Sequence, residues 1–277
     1  MLREQFWKWR RKRLGKSIKR GEISALGGVL APRVSLDEIL TASIVVARAI
    51  PRDLIDRFRG EEIALVGPGE QGLAEGALSR VPVIARMGYL GPESVPQQTT
   101  SRCDVSFYTG NAAGRLRDGS GPTLWHHLPP LAVFRREVAV SSLVGLPDRV
   151  RAISFDDGPV KAIFKGIIPN FAPEVIVFLL ALGPSRLTIT HVDLFTTARY
   201  PAGYVNKNIV GDDGVSYIRE REAVRRSMSW HNPFTHFSFY RALAGSQSIV
   251  LSDQLAAIVA GGPRAYRDRI AALYFDA

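Results

Sequence analysis

Short apolar runs alternate with polar and glycine-rich stretches along most of the chain. The runs are rich in Val, Ile, Leu and Phe, which is typical of strands that are buried on both faces of a sheet. The predicted strands are "EEIALVG" (61–67), "VPVIARM" (81–87), "CDVSFYTG" (103–110), "PLAVFRR" (130–136), "RVRAISF" (149–155) and "RLTITHVDLF" (186–195).

Helix signals lie between several of these runs. Ser35 is a predicted cap for a helix over residues 36–49, with Asp37 and Glu38 in its first turn. Further helices are predicted over residues 73–79, 173–182 and 253–261. Residues 196–216 are predicted to form a polar loop. Alternating strands and helices predict an α/β domain with a mostly parallel sheet, in which ligands bind at the carboxyl ends of the strands.

The composition is that of an ordinary globular protein. Of the 277 residues, 46% are hydrophobic and 22% are charged. No apolar run approaches the ~20 residues that a membrane-spanning helix needs, and no secretory signal pattern is visible. The single cysteine, Cys103, excludes an internal disulfide and a cysteine-rich metal site, and it favours a reducing, cytoplasmic compartment.

The charge is concentrated at the start of the chain. The first 20 residues hold nine Lys or Arg and one Glu, whereas the whole chain has a net charge of +10. The apolar residues of this segment recur every three to five positions, at Leu2, Phe6, Trp9, Leu14 and Ile18. Residues 1–20 therefore predict a cationic interfacial helix on an anionic membrane, a solvated basic tail, or a tail that binds RNA nonspecifically. The nearly neutral remainder argues against a specific nucleic-acid partner.

A glycine loop follows the first predicted strand. Gly67, Gly69 and Gly72 form a G-x-G-x-x-G pattern, which dinucleotide-binding folds use to approach a pyrophosphate. Those folds also need an acid about 20 residues later to hold the ribose. Arg86 stands in that region, and the nearest acid is Glu93. Arg86 suits the 2′-phosphate of NADP, but the short predicted helix after the loop disfavours a dinucleotide site.

Several segments, in order, resemble the sialyltransferases of glycosyltransferase families 42 and 29. "IALVGPGEQG" is similar to their first nucleotide loop, and "VPVIARMGY" to the strand that follows it. "QQTTSRCDVSFYTG" and "VIVFLLALGPSRLTITHVDLFT" resemble the next strand and a later helix–strand unit. "WHNPFTHFSFYRAL" resembles the segment that carries the catalytic histidine of family 42, and the strand "SIVLSDQL" follows it. The resemblance covers roughly residues 60–258.

The chain departs from the family pattern at five positions. Pro68 replaces an asparagine and Gln71 a serine in the first loop, and Gly88 replaces the asparagine after Arg-Met. Asn170 is the polar residue nearest to the family's Ser/Thr-Gly turn, and His191 replaces a glycine. These departures leave open whether a CMP-linked donor is retained.

The resemblance implies a single Rossmann-like domain, a variant of the glycosyltransferase A fold, over residues 25–277, after a basic segment at 1–24. It implies transfer of an acidic keto sugar (sialic acid or Kdo) from a CMP-activated donor to a cell-surface glycan, with no metal and no other cofactor. Together with the basic segment at residues 1–20, this predicts a cytoplasmic protein held peripherally at the inner membrane. The implied donor-binding residues are Gly67, Gly69, Gln71, Arg86, Asn170, Asp193, Tyr200 and Tyr204.

His231 is the catalytic candidate. A histidine titrates near neutral pH, so it can take the proton from an acceptor hydroxyl during sugar transfer. Tyr200 and Tyr204 follow a predicted strand, where phenol groups can stabilise the charge that develops on a leaving phosphate. For each of these residues a structural role is the alternative, a helix-start hydrogen bond for His231 and loop packing for the tyrosines. A turn cap is likewise the alternative role of Asp193, and a structural ion pair is the alternative role of Arg86.

Three other interpretations of the sequence stay open. One is an NAD(P)-dependent oxidoreductase that uses the glycine loop, and another is a binding protein that keeps the scaffold without the chemistry. "ISFDDGPV" (153–160) also resembles the first motif of polysaccharide deacetylases. That motif needs two histidines four residues apart, and His231 and His236 are five apart.

Overall fold

A computed structural model describes residues 16–18, 20, 33–69, 71–89, 91–92, 100–109, 127–136, 140, 143, 146–165, 167–197, 199–201, 209–212, 216–219 and 221–275. Ten strands lie in this part of the chain: β1 (Glu62–Val66), β2 (Val83–Met87), β3 (Val105–Tyr108), β4 (Leu131–Arg135), β5 (Arg151–Phe155), β6 (Arg186–Thr190), β7 (Arg199–Pro201), β8 (Ile209–Asp212), β9 (Ser216–Arg219) and β10 (Ile249–Leu251). Its helices are α1 (Leu36–Ala47), α2 (Arg52–Phe58), α3 (Glu75–Leu78), α4 (Gly158–Ile163), α5 (Phe171–Ala181), α6 (Arg221–Trp230), α7 (Pro233–Leu243), α8 (Asp253–Ala260) and α9 (Gly262–Tyr274).

Seven parallel strands form the central sheet, in the order β10-β6-β1-β2-β3-β4-β5. Successive strands from β1 to β5 are added on one side of β1, and β6 and β10 are added on the other side. The direction of the chain across the sheet therefore reverses between β1 and β6, which makes that boundary the topological switch point. This confirms the predicted α/β class and its Rossmann-like parallel sheet.

The apolar runs form strands because helices cover both faces of the sheet. In β1 all four residues after Glu62 are buried, and all four residues of β3 are buried. A strand without a solvent-facing side has no polar alternation, so a continuous apolar run is its expected sequence pattern. The main core cluster combines these strands with α1, α5, α7 and α9.

Helix α1 begins where the sequence predicts. The Ser35 side chain accepts a hydrogen bond from the Glu38 backbone, and the Glu38 carboxylate accepts one from the Ser35 backbone. This reciprocal arrangement satisfies two of the backbone N–H groups that a helix start leaves unpaired.

Two sequence predictions for the region after β6 are wrong. The strand predicted over residues 186–195 ends at Thr190, because His191 has a positive φ of 56° that an extended strand cannot contain. Residues 196–216, predicted to be a loop, contain β7, β8 and the start of β9, which form a small antiparallel sheet in the order β7-β9-β8. These strands have only three or four residues each, so they are too short for the apolar pattern that reveals a buried strand.

Most of the basic N-terminal segment lies outside the described residues. Residues 16–18 are helical, and Ile18 is only 1% exposed within the main core cluster. The sequence analysis placed Ile18 on the lipid-facing side of a cationic helix, and that assignment is wrong because the residue packs inside the protein. Within the described ranges, no helix is both long enough and apolar enough to cross a membrane.

Candidate functional site

Most of the candidate residues lie at the carboxyl ends of the parallel strands, here called the carboxyl edge of the sheet. The glycine loop follows β1, and residues 191–197 follow β6, so the two segments meet across the switch point. The Gly67 backbone N–H donates to the Thr190 carbonyl at 2.9 Å, and the Gly69 N–H donates to the His191 carbonyl at 2.6 Å. This is where doubly wound sheets form a ligand crevice.

The three glycines of the loop are required by the chain that faces them. A Cβ on Gly67 would lie 2.4 Å from the His191 carbonyl oxygen, and one on Gly69 would lie 2.7 Å from the same atom. A Cβ on Gly72 would lie 2.4 Å from Thr190 Oγ1. Thr190 Oγ1 also accepts a hydrogen bond from the Leu73 backbone at 2.8 Å. The G-x-G-x-x-G pattern therefore has a structural cause, the close contact of two loops.

The His191 side chain links the segment after β6 to the glycine loop. Its Nδ1 lies 2.9 Å from the Gly69 carbonyl oxygen, and its Nε2 lies 3.1 Å from the Leu73 carbonyl oxygen. Burial lowers the pKa of His191, although the two carbonyl contacts act in the opposite direction. The positive φ of His191 is a conformation that favours glycine.

Arg86 lies at the carboxyl end of β2, beside Val66 of β1. Its side chain is only 3% exposed and donates to the backbone carbonyls of Arg102, at 3.1 Å, and Thr100. Burial lowers the pKa of Arg86, and its charge lowers the pKa of nearby His191. Among the described residues no carboxylate pairs with Arg86, so a buried positive charge stands beside the glycine loop without a counter-charge.

Asp193 organises the turn after β6. One carboxylate oxygen accepts a hydrogen bond from the Phe195 backbone at 3.1 Å, and the other accepts one from the Thr197 hydroxyl. Leu194 and Phe195 both have positive φ values, of 48° and 65°. Tyr266 of α9 donates to the Leu194 carbonyl at 2.8 Å, which helps to hold this strained turn. The geometry gives Asp193 the role of a turn cap.

His231 lies between α6 and α7 and is partly exposed. Its Nδ1 is 3.0 Å from the carbonyl oxygen of Ile168, and its backbone N–H donates to the Ser227 carbonyl at 2.9 Å. A carbonyl oxygen can only accept, so neutral His231 carries its proton on Nδ1. The lone pair is then on Nε2, and that nitrogen is the basic atom.

His236 joins the starts of α5 and α7. Its Nδ1 lies 2.8 Å from the Asn232 carbonyl, and its Nε2 accepts a hydrogen bond from the Asn170 N–H at 2.8 Å. Burial lowers the pKa of His236 to about 3, so the ring is neutral at physiological pH. The His231 and His236 rings are 6.3 Å apart between centroids. Both nitrogens of His236 are engaged by backbone groups, so the pair is not arranged as a chelate.

The sequence analysis missed a buried ionic cluster at the carboxyl ends of β4 and β5. Arg135 donates two hydrogen bonds, each of 2.6 Å, to the carboxylate of Glu174, which is fully buried in the first turn of α5. Asp157 lies 2.6 Å from Lys161 and 4.0 Å from Arg135. Burial raises the pKa of Glu174 to about 7, and Arg135 acts in the opposite direction. The available signal was a single acid within the apolar helix "FAPEVIVFLLA".

The predicted site residues fall into two groups at one edge of the sheet. Gly67, Gly69, Arg86 and Asp193 lie at or beside the switch point. Asn170 and His231 lie at the starts of α5 and α7, which lead into β6 and β10, so both helices begin at the carboxyl edge. Gln71 is exposed in the glycine loop, Tyr200 lies on β7, and Tyr204 is outside the described residues.

Two further observations concern metal ligands and the similarity of the chain to known proteins. Within the part of the chain that the structure describes, no cluster of three or more His, Cys, Asp or Glu residues could hold a metal ion. No protein-family model matches the chain, and a comparison with curated proteins finds no match.

Proposed function

We propose that the protein transfers a sugar from a CMP-activated donor to a glycan acceptor, with an acidic keto sugar such as sialic acid or Kdo as the transferred group. The observation that carries this proposal is Arg86, a buried cation without a carboxylate partner among the described residues, next to the loop at the switch point. A phosphate or a sugar carboxylate supplies the missing negative charge.

His231 acts as the base in this proposal. Nε2 of His231 takes the proton of the acceptor hydroxyl while that oxygen forms a bond to the anomeric carbon of the donor. The bond between the anomeric carbon and the phosphate oxygen breaks at the same time, and CMP leaves with the electron pair. Arg86, Tyr200 and Tyr204 stabilise the charge on the departing phosphate without a metal.

The resemblance to sialyltransferases supports this reaction at the same edge of the sheet. The segment similar to their first nucleotide loop contains Gly67 and Gly69, and the segment similar to their catalytic histidine region contains His231. Asn170 starts the helix next to His231, and Asp193 borders the same crevice. In this proposal the protein works in the cytoplasm, with residues 1–20 on the anionic inner membrane, close to lipid-linked or surface-bound glycans.

Substitution of His231 by Asn tests the chemical step. The Asn side-chain amide can still donate to the Ile168 carbonyl, but it has no basic nitrogen, so the site is kept and proton transfer is lost. We expect the turnover of CMP-sialic acid or CMP-Kdo to fall by roughly 10²–10⁴-fold, with KM for the donor nearly unchanged. The measurement is CMP release in the presence of acceptor glycans.

His127→Asn is the matched control, because His127 is an exposed histidine outside the proposed site. This variant should turn over the donor like the unsubstituted protein. A His231→Asn protein that releases CMP at the unsubstituted rate would contradict the proposed role of His231.

A further inference from the structure

An apolar ridge runs along the outer side of α1. Leu40, Ile44 and Val45 are 39%, 60% and 44% exposed, whereas Ile39 and Val46 on the other side of the helix are buried in the core. Leu40 and Ile44 are one helical turn apart, so their side chains lie next to each other on the surface. These are the exposed large apolar residues of the described part of the chain, apart from Trp230.

A basic pocket continues this ridge at the end of α1. The pocket has a volume of about 450 Å³, and Arg48, Arg52 and Arg59 are among its lining residues, together with Ile50 and Ile55. No carboxylate belongs to its lining residues. Asp56 stands outside the pocket, 3.4 Å from Arg52 and 3.9 Å from Arg59, as an exposed ion pair that contributes little.

The pocket is at the opposite edge of the sheet from the candidate site. Its lining includes Ala181 and Gly183, which lie between the end of α5 and the start of β6. The start of β6 is at the amino edge of the parallel sheet, and the loops of the switch point are at the carboxyl edge. An occupant of the pocket is therefore separate from the donor and independent of the proposed transfer reaction.

We infer that the ridge and the pocket, together the α1–α2 surface, dock onto an anionic lipid bilayer. Leu40, Ile44 and Val45 enter the interfacial region, and Arg48 and Arg52 contact lipid phosphates. An exposed apolar stripe bordered by cations is the pattern of a surface that lies in the headgroup layer. This surface belongs to the folded body and is distinct from residues 1–20.

Charge argues against a second copy of the chain as the occupant. In a two-fold dimer whose axis passes through the pocket, the arginines of the two copies would approach each other. Like charges brought together at an interface oppose association. An anionic bilayer offers the opposite charge and an apolar layer on one surface, and it matches both parts of the α1–α2 surface.

Vesicle binding of the full-length chain tests this inference. The six Lys or Arg residues within 1–13 are first changed to Gln, which removes the charge of that segment and keeps Ile18 in the core. This parent protein should bind vesicles that contain phosphatidylglycerol and should bind pure phosphatidylcholine vesicles much more weakly. The double change Arg48→Gln and Arg52→Gln should lower the partition onto anionic vesicles roughly 30-fold.

The matched control is the double change Arg241→Gln and Arg264→Gln, which removes the same charge from exposed positions on α7 and α9. It should change the partition less than about twofold. Ile44→Ser with Val45→Ser should weaken binding to anionic vesicles while leaving the unfolding temperature within a few degrees, because both residues are exposed.

Three results would overturn the inference. One is a parent protein that does not bind phosphatidylglycerol vesicles. Another is equal loss of binding from the Arg48/Arg52 and Arg241/Arg264 double changes. The third is a dimer in sedimentation velocity that the Ile44/Val45 double change converts to a monomer, with vesicle binding unaffected, which would assign the ridge to self-association.

Discussion

The carbonyl oxygen of His191 constrains the shape of the glycine loop. The His191 carbonyl accepts a hydrogen bond from Gly69 and also occupies the space that a side chain on Gly67 or Gly69 would need. The sequence could predict that a tight loop follows β1, because three glycines stand there. It could not predict that the opposing chain imposes them, since the contact joins segments more than 100 residues apart.

Replacement of Gly67 by Ala should destabilise the protein. The new Cβ would meet a backbone oxygen at 2.4 Å, and neither loop can yield without breaking the hydrogen bonds between them. We expect the free energy of unfolding to fall by about 1–3 kcal/mol, measured by urea denaturation.

Gly76→Ala is the control for this substitution, because nothing lies within 4 Å of a Cβ at that position in α3. It should leave the stability unchanged or raise it slightly, since Ala favours a helix more than Gly does. Equal stabilities of the two variants would show that the contact with His191 does not constrain the loop.

At the scale of helices and strands, two buried ionisable groups fix the start of α5. Arg135 of β4 holds Glu174, and His236 of α7 accepts a hydrogen bond from the Asn170 N–H. The sequence predicted the central strands well, because each is a continuous buried run. It gave weaker signals for helices such as α6, in which apolar residues are few: Val224 and Met228, one turn apart, are the buried apolar residues that the structure describes there.

The two groups should give opposite pH dependences of stability. Glu174 has a folded pKa of about 7, above its ordinary 4.5, so its contribution is complete below pH 4.5 and is lost as the pH rises to about 7. His236 has a folded pKa of about 3, below its ordinary 6.5, so its contribution is complete above pH 6.5 and is lost as the pH falls. Between pH 4.5 and 6.5 the two effects oppose each other.

Substituting one of the two titrating groups should reveal the pH dependence of stability that the other group produces. Relative to the unsubstituted protein, Glu174→Gln should gain about 1.4 kcal/mol of unfolding free energy per pH unit as the pH rises through this window, and His236→Gln should lose about as much. Denaturant titrations at several pH values give these slopes. Glu222→Gln is the control for the loss of one carboxylate at an exposed position. Parallel curves for all three variants would contradict the assigned burial effects.

At the scale of the whole molecule, the surface at the carboxyl ends of the parallel strands differs from the surface at their amino ends. The carboxyl edge collects the glycine loop, Arg86 and the starts of α5 and α7, and the amino edge carries the basic pocket. The sequence predicted a mostly parallel sheet and a site at the carboxyl ends. The sequence did not predict the order of the strands, because nothing within the β6 segment specifies that it pairs with β1 rather than with β5.

The measurement that tests the account most directly is calorimetric titration with nucleotides. CMP and a CMP-sugar should bind with saturable heat, NADPH should give none, and Arg86→Gln should weaken CMP binding by roughly tenfold or more, because a charge-assisted hydrogen bond to the phosphate is lost. Thermal unfolding of Arg86→Gln establishes that the variant is folded. Saturable heat from NADPH with none from CMP or CMP-sugars would contradict the nucleotide-sugar site and would favour an oxidoreductase.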